Sequence, residues 1–217
     1  MSLSNVGRTF GSKPIFKGVS LGVDSGEAAA ILGPSGMGKT TLLRIIGTVD
    51  KPSEGEVSIC GKNVLSLSKN ELADLRWSSI GFAFQEPILL PGLSSLDNVL
   101  LPCIPRVKGE EMRRYREKTM GILDEMGLKE RVTYKPHQLS VGQKKRVDLA
   151  RALINDPKLV IADEPTTNLD AESAGIIGDM LKRVIENGRT VILTTHQDQR
   201  LLDMAEKRIH IQDYQKY

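Results

Sequence analysis

Residues 28–41 constrain this chain more than any other stretch. They read Ala-Ala-Ala-Ile-Leu-Gly-Pro-Ser-Gly-Met-Gly-Lys-Thr-Thr. Ala28–Leu32 is an apolar run the length of a short buried strand, and residues 33–40 fit the spacing G-x-x-x-x-G-K-[ST]. A helical pattern then runs from Lys39 through Val49. A strand handing over to a helix through a glycine-rich loop starts a βα unit, and repeated units of that kind build a mostly parallel sheet covered by helices. The loop also fixes a chemistry. Glycines let the backbone wrap closely around phosphates, and loop N–H groups and the helix N-terminus point at negative charge. Gly33, Pro34, Ser35, Gly36, Met37 and Gly38 are the expected cradle. Lys39 reaches the outer phosphates as a point charge, Thr40 offers its hydroxyl to Mg²⁺, and Thr41 follows on the same helix turn.

Composition agrees with a compact α/β chain. The 217 residues suffice for one large domain or two small ones. A hydrophobic fraction of 40% with 26% charged residues excludes a disordered, collagen-like or disulfide-scaffold chain. Thirty Lys and Arg against 27 Asp and Glu leave a net charge of +3. That charge is spread along the sequence, so a nucleic-acid partner is not expected. Cys60 and Cys103 read as two small buried hydrophobes, too few for a metal site. Residues 1–10 carry no apolar run, unlike a signal peptide. Nothing approaches the ~18 apolar residues of a membrane span. If the protein serves a membrane, another chain supplies the spanning part.

Further apolar runs fall at 57–60, 80–84, 159–162, Thr190–Thr194 and 208–211. Helical patterns fall at 69–77, 109–126, 141–154, 171–187 and 198–206. The prolines at 87, 91, 102, 105 and 136 mark a change of character from about 86 to 140, which reads as a helical insertion. In parallel sheets, ligands sit beyond the carboxyl ends of strands, so the residues after each run matter most. Two carboxylates follow the run at 159–162: Asp163, suited to hold Mg²⁺, and Glu164, suited to orient or deprotonate a water attacking a γ-phosphate. Ser140 and Gln143 have the spacing of a capping box that opens a helix, and a capped helix N-terminus is also an anion site.

The segments GPSGMGKT, FAFQ, LSVGQ, LVIADEPTTNLD and TTH occur in that order. Together they resemble the ATP-binding subunit of an ABC (ATP-binding cassette) transporter, over nearly the whole chain. LSVGQ is similar to the family's LSGGQ signature. The stretch FQEPILLPGLSSLDNVLLP resembles the lipoprotein-releasing and macrolide-exporter group, and the cell-division-associated ATPase is similar too. The resemblance implies a single ABC domain: a P-loop α/β core at 1–85 and about 141–217, a helical subdomain at about 86–140, and a small N-terminal antiparallel β part.

It implies an ATPase using ATP and Mg²⁺, with Glu164, His196 and Gln85 catalytic and with Thr40, Gln85 and Asp163 on the metal. Phe10 matches the adenine-stacking aromatic, with Phe16 as the alternative. Ser140, Val141, Gly142, Gln143 and Asp170 would complete the site of a second copy in a head-to-tail dimer sandwiching two ATP. Integral membrane subunits on separate chains are the implied partners, at the cytoplasmic side of a membrane. Two departures stand out. Val141 replaces a glycine of the signature and is expected to crowd or stiffen it, and Thr167 lies where a glycine is common. The alternatives are a soluble ABC ATPase acting on nucleic acid or ribosomes, and a P-loop kinase. The first is disfavoured because the interval between Thr40 and Leu139 is too short for a coiled-coil arm. The second would need neither LSVGQ nor His196.

Overall fold

A computed structural model describes residues 1–196 and 198–215. The chain opens with a hairpin of β1 (Ser2–Phe10) and β2 (Lys13–Gly22). Then come β3 (Ala28–Leu32), α1 (Lys39–Ile46), β4 (Glu54–Ile59), β5 (Lys62–Asn63), α2 (Lys69–Ser79) and β6 (Ile80–Ala83). Two helices, α3 (Ser95–Leu100) and α4 (Gly109–Glu125), precede α5 (Val141–Leu153). The remainder is β7 (Leu159–Asp163), α6 (Ala171–Glu186), β8 (Thr190–Thr194), α7 (Gln199–Met204) and β9 (Lys207–His210).

Two sheets result. The first is antiparallel, in the order β2-β1-β4-β5; the second is parallel, in the order β6-β7-β8-β3-β9. The parallel strands are apolar throughout because both faces are covered. Along β7, Leu159 and Ile161 enter the core shared with α1 and the antiparallel sheet, while Val160 and Ala162 enter the core shared with α5 and α6. The expected α/β fold, its antiparallel N-terminal part and its helical subdomain are all present. Val99, Leu100, Leu123 and Met126 of the helical part join the core that contains Val147 and Leu149 of α5. Among the described residues, no helix is long and apolar enough to cross a membrane.

Three details position the site. A Cβ on Gly81 would lie 2.1 Å from the Ala152 carbonyl oxygen, so only glycine lets α5 rest against β6. Helix α1 stops at Ile46 rather than Val49: Gly47 N–H bonds the Leu43 carbonyl, and Thr48 turns to φ 57°. Asn98 is fully buried. Its Oδ1 accepts from Leu90 N–H, and its Nδ2 donates to the carbonyls of Leu90, Leu93 and Ser94. All the polar atoms of that amide are used, and the segment after Gln85 is thereby tied to α3.

The expected burial of both cysteines fails for one of them. Cys103 is buried, but Cys60 is exposed. Cys60 and Gly61 form the two-residue turn joining β4 to β5, with φ 51° and 75°. A turn of that hand matches the strand twist and projects its side chains outward.

Candidate functional site

Four neighbouring strands of the parallel sheet end at one edge, and each delivers part of the site. Ala83 of β6 pairs with Ala162 of β7, Asp163 with Thr194 of β8, and Thr194 with Ile31 of β3. Gln85, Glu164, His196 and the glycine loop follow those level positions. Residues far apart in sequence converge because parallel strands share one carboxyl edge.

The loop between β3 and α1 is held open by Gly33, Gly36 and Gly38, with φ of 143°, 78° and 91°. A Cβ on Gly38 would sit 2.6 Å from Ile15 Cγ2, so the loop lies directly on β2. Gly38 caps α1 with no side-chain acceptor, which leaves the first helical N–H groups directed at the loop. The loop lines a cavity of about 240 Å³ that also includes Thr40, Thr41, Gln85, Glu164 and Ile15. Lys39 is buried. Its Nζ donates to the carbonyls of Gly33 at 2.8 Å and Pro34 at 3.1 Å. Met37 packs toward the core beneath the loop, and its carbonyl accepts from Gln215 Nε2 at 2.9 Å.

Glu164 is the hub. One carboxylate oxygen lies 2.8 Å from His196 Nε2 and 3.7 Å from Lys39 Nζ, and the other accepts from Gln85 Nε2 at 3.0 Å. At 2.8 Å from a carboxylate, Nε2 of His196 carries a proton. The same nitrogen is 3.4 Å from both Ser35 Oγ and Lys39 Nζ. Glu164 is only 7% exposed and has φ 45°. A non-glycine residue in that region is held by its surroundings rather than by its own preference. The holding groups are identifiable: Glu164 N–H donates to Thr194 Oγ1 at 2.9 Å, and Lys145 Nζ donates to the Glu164 carbonyl at 2.8 Å. Thr194 Oγ1 in turn donates to Asp163 Oδ1 at 2.6 Å, with Asp163 1% exposed.

The signature segment lies apart from this cavity, at the start of α5. Ser140 Oγ accepts from Gln143 N–H, and Gln143 Oε1 accepts from Ser140 N–H, so the capping box forms as its spacing predicts. Gly142 is buried, with Ser173 of α6 against it, whereas Val141 is 58% exposed and points away from the fold. Within one chain, Val141 therefore crowds nothing. Asp170 caps α6. Its Oδ1 accepts from Ser173 N–H at 2.8 Å, and this hydrogen bonding holds its carboxyl below the usual range. None of Ser140, Val141, Gly142, Gln143 and Asp170 lines the loop cavity.

Phe16 is fully buried in the core, which removes it as a stacking surface. Phe10 is 52% exposed at the end of β1, with the Arg8 guanidinium 4.5 Å from its ring centroid. It does not line the cavity; Ile15 does. Sequence reasoning missed Ile15, Thr194 and Lys145. The run Thr190–Thr194 signals a strand but says nothing of a hydroxyl bridging two carboxylate-bearing positions on its neighbour. The nearest usable signal was Thr194 beside Thr195 and His196 at a strand end.

A glycine-rich loop under a lysine, facing carboxylates on adjacent parallel strands, defines a P-loop nucleoside-triphosphate-binding domain. The chain belongs to the ABC transporter family, whose model matches residues 16–167. It is 41% identical over 215 residues to the lipoprotein-releasing system ATP-binding protein LolD of Bacteroides fragilis (strain YCH46), an alignment covering 97% of each protein. It is 42% identical over 217 residues to the macrolide export ATP-binding/permease protein MacB of Hyphomonas neptunium (strain ATCC 15444), covering 98% of this chain and 33% of that protein. The chain thus spans about a third of the length of the MacB relatives it matches. The solved dimeric structure of MJ0796, a bacterial ABC transporter cassette, superimposes with a TM-score of 0.89 at 39% identity, over 96% of this chain and 93% of that one. A second dimeric structure of that cassette, in a post-hydrolysis state bound to ADP and Pi, gives a TM-score of 0.88 at the same identity and coverage. The chain is an ABC ATPase.

Proposed function

We propose that this chain is the Mg²⁺-dependent motor of an exporter or a lipoprotein- or peptide-releasing system, docked peripherally on the cytoplasmic side of separate membrane subunits. The observation that carries the catalytic part is the convergence of Gln85, His196 and Lys39 on one buried carboxylate, Glu164, beside the glycine loop. The transport part rests on the likeness to LolD along its whole length and to the cassette third of MacB.

In this reading the loop N–H groups and Lys39 bind the β- and γ-phosphates. Lys39 exchanges its bonds with the Gly33 and Pro34 carbonyls for phosphate oxygens. Thr40, Gln85 and Asp163 offer a hydroxyl, a carboxamide and a carboxylate, an all-oxygen set that suits a small hard cation whose remaining positions go to phosphate and water. Among the described residues, no group of three His, Cys, Asp or Glu residues forms a cage that would hold a cation without the nucleotide. When bound, the cation neutralises charge on the phosphate oxygens. Glu164 orients the attacking water and accepts its proton. His196 aims Nε2–H at the γ-phosphate, and Gln85 holds the Glu164 carboxylate from the other side.

Phosphoryl transfer depends on surrounding the γ-phosphate with positioned donors. Ser140 and Gly142 of a second copy supply the far side, with Val141 and Gln143 flanking them and Asp170 facing across the interface. The outward-facing signature and the dimeric relatives support this. ATP binding then closes a head-to-tail dimer, and hydrolysis opens it. Phe10, exposed beside Arg8, stacks on adenine.

The test is affinity isolation of tagged Glu164→Gln from native membranes in Mg-ATP. Recovery of a protein with long spanning helices is the expected result. Recovery of ribosomes or nucleic acid alone would refute the transporter reading and leave the ATPase standing.

A further inference from the structure

We propose that the buried polar face of α5, formed by Lys145, Asp148 and Arg151, is a strut that positions both Glu164 and Gln85 and ties them to the signature segment at the start of the same helix. The three residues recur at a spacing of three and share one side of the helix. Lys145 is 7% exposed, and its Nζ donates to the carbonyls of Glu164 at 2.8 Å and Thr167 at 3.0 Å. Asp148 is 1% exposed, and its Oδ2 accepts from Phe84 N–H at 2.8 Å. Its Oδ1 pairs with Arg151, whose Nη1 donates to the Ile88 carbonyl at 2.6 Å. Gln85 is therefore anchored through the backbone on both sides, at 84 and at 88, while its side chain meets Glu164.

Ion pairs in an apolar interior are an inefficient source of stability, because desolvation offsets the attraction. What the three groups supply is fixed position. Each anchors backbone that carries a residue at the cavity or the loop just beyond it, and the helix bearing them begins at the Ser140–Gln143 capping box. A displacement of that helix start, as dimer closure would produce, carries the 84–88 and 164–167 segments with it. Lys145, Asp148 and Arg151 touch no reacting atom and are positioning residues. The inference rests on the proposed roles of Gln85 and Glu164.

The experiment uses the full chain. In Asp148→Ala, amide exchange at 84–86 should rise at least tenfold while β8 amides stay unchanged. kcat should fall about tenfold with the ATP Kd within twofold, and Asp148→Asn, which retains an acceptor toward Phe84, should recover much of both. Lys145→Met should likewise lower kcat at constant Kd. Unchanged exchange at 84–86 in a folded Asp148→Ala, or loss of Kd in step with kcat, would overturn the strut. If Asp148→Ala does not fold, unchanged kcat in a folded Lys145→Met, which loses the bonds to the Glu164 and Thr167 carbonyls, would overturn it. Normal hydrolysis by Gln85→Ala would instead remove Gln85 from the chemistry, with the exchange result still deciding whether α5 anchors the segment.

Discussion

Thr194→Val isolates a single hydroxyl. Thr194 is fully buried; its Oγ1 donates to Asp163 Oδ1 at 2.6 Å and accepts from Glu164 N–H at 2.9 Å. Valine has nearly the same shape, so packing is kept while two buried groups lose their partner at once. Leaving one buried polar group unsatisfied costs about 1–3 kcal/mol, and a carboxylate oxygen lies at the upper end or beyond. The combined loss is about 4 kcal/mol, or roughly 8–16 °C in Tm for a domain of this size. Thr194→Ser is the control: it keeps the hydroxyl and removes one methyl, costing about 0.8 kcal/mol. Calorimetry of the two variants with the wild type gives the comparison, and the order expected is wild type, then Ser, then Val. ATPase turnover should fall with Val and not with Ser, because Asp163 and the Glu164 backbone lose a shared anchor. A Val variant that melts within about 2 °C of the wild type, or a Ser variant less stable than Val, would refute the reasoning.

Lys39→Ala should abolish nucleotide binding in a direct titration, since this buried ammonium stands over the glycine loop; near-normal affinity would remove Lys39 from the site. Glu164→Gln should keep ATP binding, slow hydrolysis by at least about a hundredfold, and accumulate an ATP-bound dimer; a monomer by light scattering in saturating Mg-ATP contradicts the sandwich. Burial pushes the Asp148 carboxyl from 3.8 up to about 6, against the opposing pull of Arg151, the Phe84 amide and Lys145. A carboxyl raised on folding holds its proton more tightly in the folded state. Its contribution is complete below about pH 4 and is lost as pH rises through about 6. The stability of the wild type relative to Asp148→Asn should therefore fall by about 2 kcal/mol between pH 4 and pH 7, and a difference that stays flat across chemical unfolding at those two pH values would be the contrary result. Gly81→Ala should destabilise by about 1–3 kcal/mol through collision with the Ala152 carbonyl, and unchanged urea unfolding would mean that α5 can move away from β6.

Local chemistry was readable from the sequence. The glycine loop is contiguous, its φ requirements are met by residues within it, and Lys39 and Thr40 follow at fixed offsets. The apolar runs at Ala28–Leu32 and Thr190–Thr194 announced fully buried strands, because parallel strands are covered on both faces. The Ser140–Gln143 capping box and the Asp163-Glu164 pair were visible for the same reason: each is a short-range pattern.

What the sequence did not contain was the neighbour relations. The order β6-β7-β8-β3 brings Gln85, Glu164 and His196 onto one edge, and no local periodicity states which strand lies beside which; here the family resemblance, not spacing, had to join them. Thr194, Lys145 and Asp148 act across strands and helices and look like ordinary residues of their own elements until the partner is in place. Phe16 and Phe10 are both aromatic residues near the N-terminus, yet Phe16 of β2 turns into the core that holds α1 while Phe10 stands exposed at the end of β1. Cys60 is exposed because a two-residue turn formed there. The sequence by itself determined the phosphate cradle and the class of fold, because those rest on contacts within a few residues. Only the tertiary structure decided which groups hold Glu164, because those contacts close over long separations through the order of the parallel sheet and the packing of α5 beneath it.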